Sequence, residues 1–301
     1  MIDLPTASAQ MNKPGEWRAE LCFEQAQSMD DAIKDRLQAA LANALSSFGT
    51  LSASTLGSKP GRSGGLLITP QGLEAGESGA PGLSLTFGDA PVLPDDQDTL
   101  QSLSQTWQWD EAEEALFAAP FRVTLRSVNT LELDTGTRIE LFQRVLYAMT
   151  SELSPKALIF PQSQCCIDPE SYLENDPENE DYFGIYGLVN TRVFTSDDDD
   201  GQSVFMDTLG MHLLGLPDAQ CLAGDSKTDF AELAYWLYNL VEYMRETAGS
   251  FEDGDTIIGL GDEEWEVNYG SALIEPDRCV LNVNTMQIDM SELSFEEDQE
   301  Q

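Results

Sequence analysis

The apolar residues of this chain recur with two periods, and the two periods predict a mixture of strands and helices. Apolar and polar side chains alternate over residues 121–128, which is the pattern of a strand with one buried face. Apolar spacings of three and four residues recur over other segments, which indicates amphipathic helices. The four main predicted helices are residues 29–48, 98–119, 137–153 and 230–247.

The order of these elements predicts the fold class. Up to residue 130 the order is strand, helix, two strands, helix and strand, as in a ferredoxin-like plait with its split βαβ unit. A second group of similar build follows. The sequence therefore predicts an α+β fold of two ferredoxin-like (split βαβ) units, with antiparallel sheets covered by helices. The predicted boundaries are a disordered arm at 1–15, units at 16–130 and 131–290, and an acidic disordered tail at 291–301.

The longest apolar-rich stretch of the chain, residues 203–222, contains its only histidine, His212. Gly210 and Gly215 interrupt the stretch, and this pattern predicts a central strand bent or bulged at its glycines. Two interpretations of His212 stay open. It is either a core residue with satisfied hydrogen bonds, or a catalytic base that a carboxylate such as Asp207 orients.

Three segments of the chain carry a resemblance to a known family. They are residues 210–220, the Trp-Asp-Glu-Ala sequence at 109–112, and the Asp-Gly-Asp-Thr-Ile-Ile-Gly sequence at 253–259. Together they resemble the bacterial family known as domain of unknown function 4261. The resemblance implies a fold neighbourhood and no particular reaction. It singles out six residues as structural or functional motif positions: Asp207, Gly210, His212, Gly215, Asp218 and Gln220.

The charge of the chain restricts its partners. Its 54 acidic and 15 basic residues give a formal net charge of −39. Such a surface repels nucleic acids and anionic lipids, and it attracts basic proteins. The acidity indicates either a dedicated basic partner or an adaptation of the host. The predicted partner-binding residues lie in the densest acidic segments, which we expect at loops or strand ends of the second unit: Asp176, Glu178, Glu180, Asp181, Asp197, Asp198, Asp199, Asp200, Glu252, Asp253, Asp262 and Glu263.

The sequence predicts neither a metal nor another cofactor. One histidine and five cysteines without a Cys-x-x-Cys pair fit neither a zinc site nor a disulfide framework. Residues 196–207 partly match a calcium-loop template, but a serine occupies its first position and the flanks are predicted strands. The adjacent Cys165 and Cys166 are expected to be buried, reduced thiols.

Three functional hypotheses follow. Residues 1–14 lack the pattern of an export signal, and no apolar run approaches the ~20 residues of a membrane span, so we expect a cytoplasmic protein without a membrane partner. The first hypothesis is an acidic binding protein, such as an immunity or inhibitor protein that masks a basic toxin or another basic protein. The alternatives are an enzyme of unknown reaction centred on Asp207 and His212, and an acidic accessory protein without a dedicated basic partner.

Overall fold

The computed structural model describes residues 12–59, 62–198, 201–223, 229–249 and 251–285. The chain divides into two compact units. The N-terminal unit is Glu16–Leu188, and the C-terminal unit begins at Val189 and takes in the described residues before Glu16. Within the described ranges, no helix combines the length and the apolar character needed to cross a membrane.

Over the residues that the structure describes, the N-terminal unit contains a seven-stranded antiparallel sheet and five α-helices. Its strands follow the order β2-β3-β4-β5-β1-β6-β7 across the sheet. In chain order the elements are β1 (Arg18–Phe23), α1 (Asp31–Ala44), β2 (Leu51–Leu56), β3 (Arg62–Pro70), β4 (Gly82–Gly88), α2 (Gln97–Ser104), α3 (Ala112–Ala118), β5 (Phe121–Val128), α4 (Thr135–Leu153), β6 (Ala157–Phe160), β7 (Cys165–Ile167) and α5 (Pro169–Glu174).

Helices lie against both faces of this sheet. Leu116 of α3 packs with Cys22 of β1 and Ile159 of β6 in one buried cluster. On the opposite face, Phe142 of α4 makes an edge contact with the Trp17 ring, with 5.8 Å between the ring centroids. The alternation along β1 explains both contacts, because successive side chains of a strand point to opposite faces.

In its described residues, the C-terminal unit contains a six-stranded mixed sheet and one long helix. The strand order is β11-β12-β13-β10-β9-β8, and β10 runs parallel to β13 while the other pairs are antiparallel. The elements are β8 (Asn190–Asp198), β9 (Gly201–Leu209), a 3₁₀ turn (Met211–Leu214), β10 (Asp218–Ala223), α6 (Phe230–Glu246), β11 (Asp255–Ile258), β12 (Glu264–Ser271) and β13 (Cys279–Asn284).

The α+β class is confirmed, whereas several finer predictions need correction. The parallel β10–β13 pair makes the second sheet mixed and not purely antiparallel. The predicted helix at 98–119 is two helices. They separate where the Thr106 hydroxyl donates to the Ser102 carbonyl at 2.6 Å and accepts from the Cys166 N–H at 3.0 Å. A side chain that bonds its own backbone in this way competes with the helix.

The predicted unit boundary near residue 130 also differs from the structure, which divides the chain between Leu188 and Val189. The physical reason is that β1 pairs with both β5 and β6, so β6 and the preceding α4 complete the N-terminal unit. Of the predicted disordered arm, residues 12–15 are ordered against the C-terminal unit, and residues 1–11 lie outside the described part. The predicted acidic tail at 291–301 lies outside it as well.

Candidate functional site

A row of polar residues crosses the sheet of the C-terminal unit. Arg192 of β8 is paired in register with Asp207 of β9, which is paired with Gln220 of β10. The row continues through Asn282 of β13 to Asn268 of β12. Because residues paired in register lie on the same face of a sheet, these five side chains share one face. The opposite face carries apolar residues such as Met206 and Val267, both fully buried.

The loop between β12 and β13, residues 272–278, covers this polar face. Its Leu273 N–H donates to Gln220 Oε1 at 3.1 Å, and its Glu275 carbonyl accepts from Arg192 Nη1 at 2.9 Å. Ile274 packs with Phe205 and Leu222 in a small apolar cluster on the same face. The loop therefore excludes solvent from groups that would otherwise face water.

Arg192 and Asp207 form a two-pronged ion pair beneath the loop. Arg192 Nε donates to Asp207 Oδ1 at 2.8 Å, and Nη2 donates to Oδ2 at 2.5 Å. Arg192 is 1% exposed and Asp207 is fully buried. The guanidinium also lies 5.0 Å from the centre of the Phe194 ring. This geometry gives Asp207 the strongest form of carboxylate hydrogen bonding that proteins use.

Arg278 joins the two buried carboxylates. Its Nη2 donates to Asp207 Oδ2 at 2.7 Å, and its Nε donates to Asp218 Oδ2 at 3.1 Å. Its remaining donors bind the carbonyl oxygens of Ile274, Pro276 and Thr208 at 2.8–3.1 Å. Two arginines thus neutralise two carboxylates, and such a balance is what makes buried charges tolerable.

Asp218 holds the turn that precedes β10. Its Oδ1 accepts from the Met211 N–H at 3.0 Å, and its Oδ2 accepts from the His212 N–H at 3.3 Å. Its Oδ2 also lies 3.1 Å from His212 Nδ1. Burial alone would raise the pKa of Asp218. The His212 hydrogen bond and the Arg278 charge outweigh burial, so this pKa lies below its ordinary value.

This turn corrects the predicted bent strand. Residues 203–216 are the end of β9 followed by a 3₁₀ turn, and Gly210 and Gly215 flank the turn with φ values of 141° and 82°. Asn12 is hydrogen-bonded beside it, with its Nδ2 donating to the Leu216 carbonyl at 2.8 Å and its Oδ1 accepting from the Cys279 N–H at 3.0 Å. Both glycines have a positive φ, a conformation that a residue with a Cβ rarely adopts.

His212 is paired with Asp218 and not with Asp207. Its side chain is 19% exposed, whereas Asp218 is fully buried. Asp207 has its oxygens occupied by two arginines, which removes it as the carboxylate that orients the histidine. The structure thus joins three motif residues, Asp207, Asp218 and His212, in one network through Arg278. Gln220 is paired in register with Asp207 in the sheet, and Gly210 and Gly215 flank the turn beside the network.

Metal and thiol chemistry find little support in the described part of the chain. Asp207, the last ligand of the calcium-loop template, is committed to arginines, and no cluster of three potential ligands occurs among the described residues. The cysteines are free thiols. Burial raises the pKa of Cys166 and of Cys221 to about 12, which suppresses the thiolate that a nucleophile requires.

The predicted partner-binding acids are divided between the two units. The four in residues 176–181 belong to the N-terminal unit, which corrects their predicted place, and Glu178 pairs there with Arg144. Asp197 and Asp198 end β8, and Asp199 and Asp200 lie outside the described residues. The others are exposed around β11 and β12 of the C-terminal unit: Glu252, Asp253, Asp262 and Glu263.

Sequence reasoning missed the two arginines that organise the site. Arg192 lies in a predicted strand, in which every second side chain shares a face. This alternation could have shown which face of the strand carries Arg192. Arg278 comes from a loop distant along the chain, so no local pattern could place it beside Asp207 and Asp218.

Comparison with known proteins ties this region to one family. No curated protein and no solved structure matches the chain. A family model described as a domain of unknown function (DUF4261) matches residues 207–284. This segment contains Asp207, Asp218, Arg278 and the covering loop, whereas Arg192 lies before it. The resemblance to the DUF4261 family is therefore confirmed, and residues 207–284 carry it.

Proposed function

We propose that this protein is an acidic binding protein whose C-terminal unit docks on a basic protein partner. The observation that carries the proposal is that the arginines of this unit are paired inside it, whereas many of its acidic side chains are exposed. Arg192 and Arg278 are buried against carboxylates, and Arg245 is paired with Glu242 at 2.7 Å. The acidic side chains around β11 and β12 are exposed. The three arginines of this unit are thus compensated within it, and the charges left exposed around β11 and β12 are negative.

The β11–β12 hairpin is the best-defined part of this acidic surface. Glu264 and Glu266 are exposed on β12, while the alternate residues Trp265 and Val267 are buried. Ile258, which is 61% exposed, is paired in register with Glu264. An exposed apolar side chain beside carboxylates supports a protein partner, because protein interfaces combine apolar anchors with a charged rim.

The same properties suit an inhibitor. An immunity-type protein that acts in the cytoplasm needs fast capture of its target. Opposite charges on the two proteins speed their association, and this acceleration weakens as salt is added. We therefore propose a basic toxin, or another basic protein, as the class of partner. The bacterial and inhibitory character of the protein is part of this proposal.

The test begins with affinity capture at low salt, and it continues with the association rate of the captured partner as a function of ionic strength. Asp262→Asn, Glu264→Gln and Glu266→Gln, combined in one variant, remove three exposed charges. We expect slower association with a flatter salt dependence and a smaller change in dissociation, because rim charges act mainly on the encounter. The predicted contribution of residues 197–200 is measured in the same way, with asparagine replacing each aspartate.

The control variant neutralises three exposed acids of the N-terminal unit, Glu111, Glu113 and Glu114. It has the same net charge as the test variant. Equal slowing by both variants would show that net charge and not the hairpin attracts the partner, as expected of an acidic accessory protein. An acidic partner, or a rate indifferent to salt, would contradict the proposal.

An enzyme is the second candidate, and the His212–Asp218 contact favours it. A partly exposed imidazole with a buried carboxylate on Nδ1 is the arrangement of a general base. The test is His212→Gln, followed by its urea midpoint and by complementation of a deletion strain. Native stability with lost complementation would favour the enzyme, whereas lost stability with retained complementation would favour a structural histidine.

We further propose that the N-terminal unit contains a ferredoxin-like core. Its support is the neighbour order β4-β5-β1-β6, in which β1 lies between β5 and β6 and α4 connects these two. On this view β2–β3 and α2–α3 are insertions in a split βαβ plan. Superposition of an experimental structure on ferredoxin-like folds is the check.

A further inference from the structure

The sheet of the N-terminal unit ends at β2, and this edge lacks the features that usually prevent sheet edges from pairing. β2 has six residues, Leu-Ser-Ala-Ser-Thr-Leu, with neither a charge nor a proline among them. Natural sheets protect their edges with charged residues, proline, bulges or very short strands. An unprotected edge of this length is a template to which a further strand can add.

The other three sheet edges among the described residues are protected. β7 has three residues, all of them buried. β11 has four residues, begins with Asp255 and lies beside Glu264 and Glu266 of β12. β8 ends in Asp197 and Asp198. β2 therefore differs from every other edge in length and charge.

The backbone groups that β2 directs outward belong to alternate residues. Leu51 is paired in register with Pro70, which has no N–H, so the hydrogen bonds between β2 and β3 must flank this pair. The Gln71 N–H accordingly donates to the Thr50 carbonyl at 2.8 Å. Bonded and non-bonded pairs alternate along an antiparallel ladder. The N–H and C=O groups that point away from β3 are therefore those of Leu51, Ala53 and Thr55.

The charge around β2 also differs from that of the rest of the chain. Acidic residues occupy 54 of the 301 positions, yet residues 36–73 contain none and include three basic residues, Arg36, Lys59 and Arg62. Two copies with a formal charge of −39 each repel one another. Salt screens this repulsion beyond about 8 Å, so the charges next to a contact matter most. β2 and the β2–β3 hairpin carry no carboxylate, so a second copy can approach them without repulsion from acids of the hairpin.

We propose that two copies of this chain form a dimer through β2, which pairs with itself in antiparallel orientation about a two-fold axis at Ala53. In this register Ala53 pairs with the partner's Ala53, and Leu51 pairs with the partner's Thr55. All three outward residues then make bonded pairs, which gives about six main-chain hydrogen bonds. Within one copy, no hydrogen bond between described residues uses these outward groups. The contact is isologous, as two-fold interfaces are.

Sedimentation equilibrium of the full chain, over a range of protein and salt concentrations, tests the proposal. We expect a reversible dimer whose dissociation constant falls as salt is added, because screening weakens the repulsion between two acidic copies. Association with a basic partner responds to salt in the opposite direction, so the dimer and the proposed function can fail separately. A monomer under all conditions, or a dimer that strengthens as salt is removed, would overturn the proposal.

Ala53→Pro removes the N–H at the centre of the proposed contact. Proline is tolerated on an edge strand where the N–H faces away from the sheet, so the variant should fold. Two hydrogen bonds of the dimer are lost, so we expect the dissociation constant to rise about tenfold or more. Ala53→Ser keeps the N–H and is the matched control, which should dimerise like the wild type. Equal weakening by the two variants would contradict the proposal.

A pair of charge variants tests the register without a proline. Ser52 and Ser54 are exposed, and the proposed register places Ser52 opposite the partner's Ser54. Ser52→Asp combined with Ser54→Asp sets like charges opposite each other and should weaken the dimer. Mixing this protein with Ser52→Lys combined with Ser54→Lys should restore association as a mixed dimer.

The control for the charge variants is Ser52→Asn combined with Ser54→Asn, which is similar in size to the aspartate variant and uncharged. It should dimerise more tightly than the aspartate variant. These variants decide the proposal even where Ala53→Pro fails to fold. A dimer that the aspartates leave unchanged, or one that the asparagines weaken equally, would show that β2 is not the contact.

Discussion

At the scale of one residue, Gly215 shows why the turn before β10 requires a glycine. Its φ is 82°, and a Cβ placed there would lie 3.1 Å from Pro14 Cγ. We expect Gly215→Val to lower the free energy of unfolding by more than about 1 kcal/mol, because residues with a Cβ are strained at this φ. Urea denaturation measures the loss.

The control for this variant is Gly57→Val. Gly57 has no positive φ, and nothing lies within 4 Å of a Cβ built there. Its stability should stay close to that of the wild type. A Gly215→Val protein as stable as the Gly57→Val protein would show that the turn tolerates a side chain.

Asp218 leads to a prediction about pH. Its pKa is lowered in the folded state, so its contribution to stability is present above the unfolded-state pKa of about 3.9 and is lost as pH falls through the folded-state pKa. We therefore expect the stability gap between the wild type and Asp218→Asn to be largest near pH 6 and to shrink below about pH 4. Urea midpoints of both proteins across this range test it, and a gap independent of pH would contradict it.

The sequence could predict part of the site at this scale. The glycine positions follow from local chemistry, and the prominence of His212 and Asp218 follows from the apolar stretch around them. The partner of His212 could not be predicted. Asp207 and Asp218 are both near it along the chain, and only the positions of two distant arginines decide which carboxylate remains for the histidine.

At the scale of elements, the loop at residues 272–278 covers the polar face of the second sheet, and the ion pairs of Arg278 hold it there. Arg278→Met removes one charge of a buried, balanced set and leaves Asp218 and Asp207 short of a partner. We expect a loss of about 3–5 kcal/mol in the free energy of unfolding, as is typical of breaking a buried ion pair.

Arg245→Met is the matched control. Arg245 is half-buried on α6 and pairs with Glu242, a residue three positions earlier on the same helix. A pair of this kind contributes about 1 kcal/mol or less. Similar losses in the two variants, measured by urea denaturation, would show that the loop is not held by its buried charges.

Elements with a strong local pattern were the ones that the sequence predicted well. The helix predicted at 230–247 is observed as α6, Phe230–Glu246, because its apolar stripe is continuous. The helix predicted at 98–119 is interrupted between Ser104 and Ala112, and Thr106 in this interval accepts from the N–H of Cys166, which is distant along the chain. Periodicity carries no information on such a contact.

At the scale of the whole molecule, the division between the two units can be tested with fragments. A fragment of residues 16–188 contains every strand of the first sheet, whereas residues 16–130 lack α4 and the β6 partner of β1. We expect cooperative thermal unfolding, followed by circular dichroism, for the longer fragment only. Cooperative unfolding of the shorter one would restore the boundary near residue 130.

Pairing between distant strands also explains why this boundary was hard to predict. β1 is the first strand in the described part of the chain, and its two neighbours, β5 and β6, come about a hundred residues or more later. The acidic, proline-containing segment at residues 168–181 lies shortly before the division, but local composition does not show which strands it separates. The α+β class was predicted correctly, because it depends only on the local spacing of apolar residues.

The place of β13 has a consequence for synthesis on the ribosome. β13 is the last strand of the described chain, yet it lies between β12 and β10 inside its sheet. Until Cys279–Asn284 emerges, the nascent sheet consists of two separate pieces with open edges at β10 and β12, and such edges are prone to pair with other chains. The N-terminal unit can complete its own sheet long before that moment. Messages truncated just before residue 279 should therefore yield a folded N-terminal unit attached to an aggregation-prone remainder.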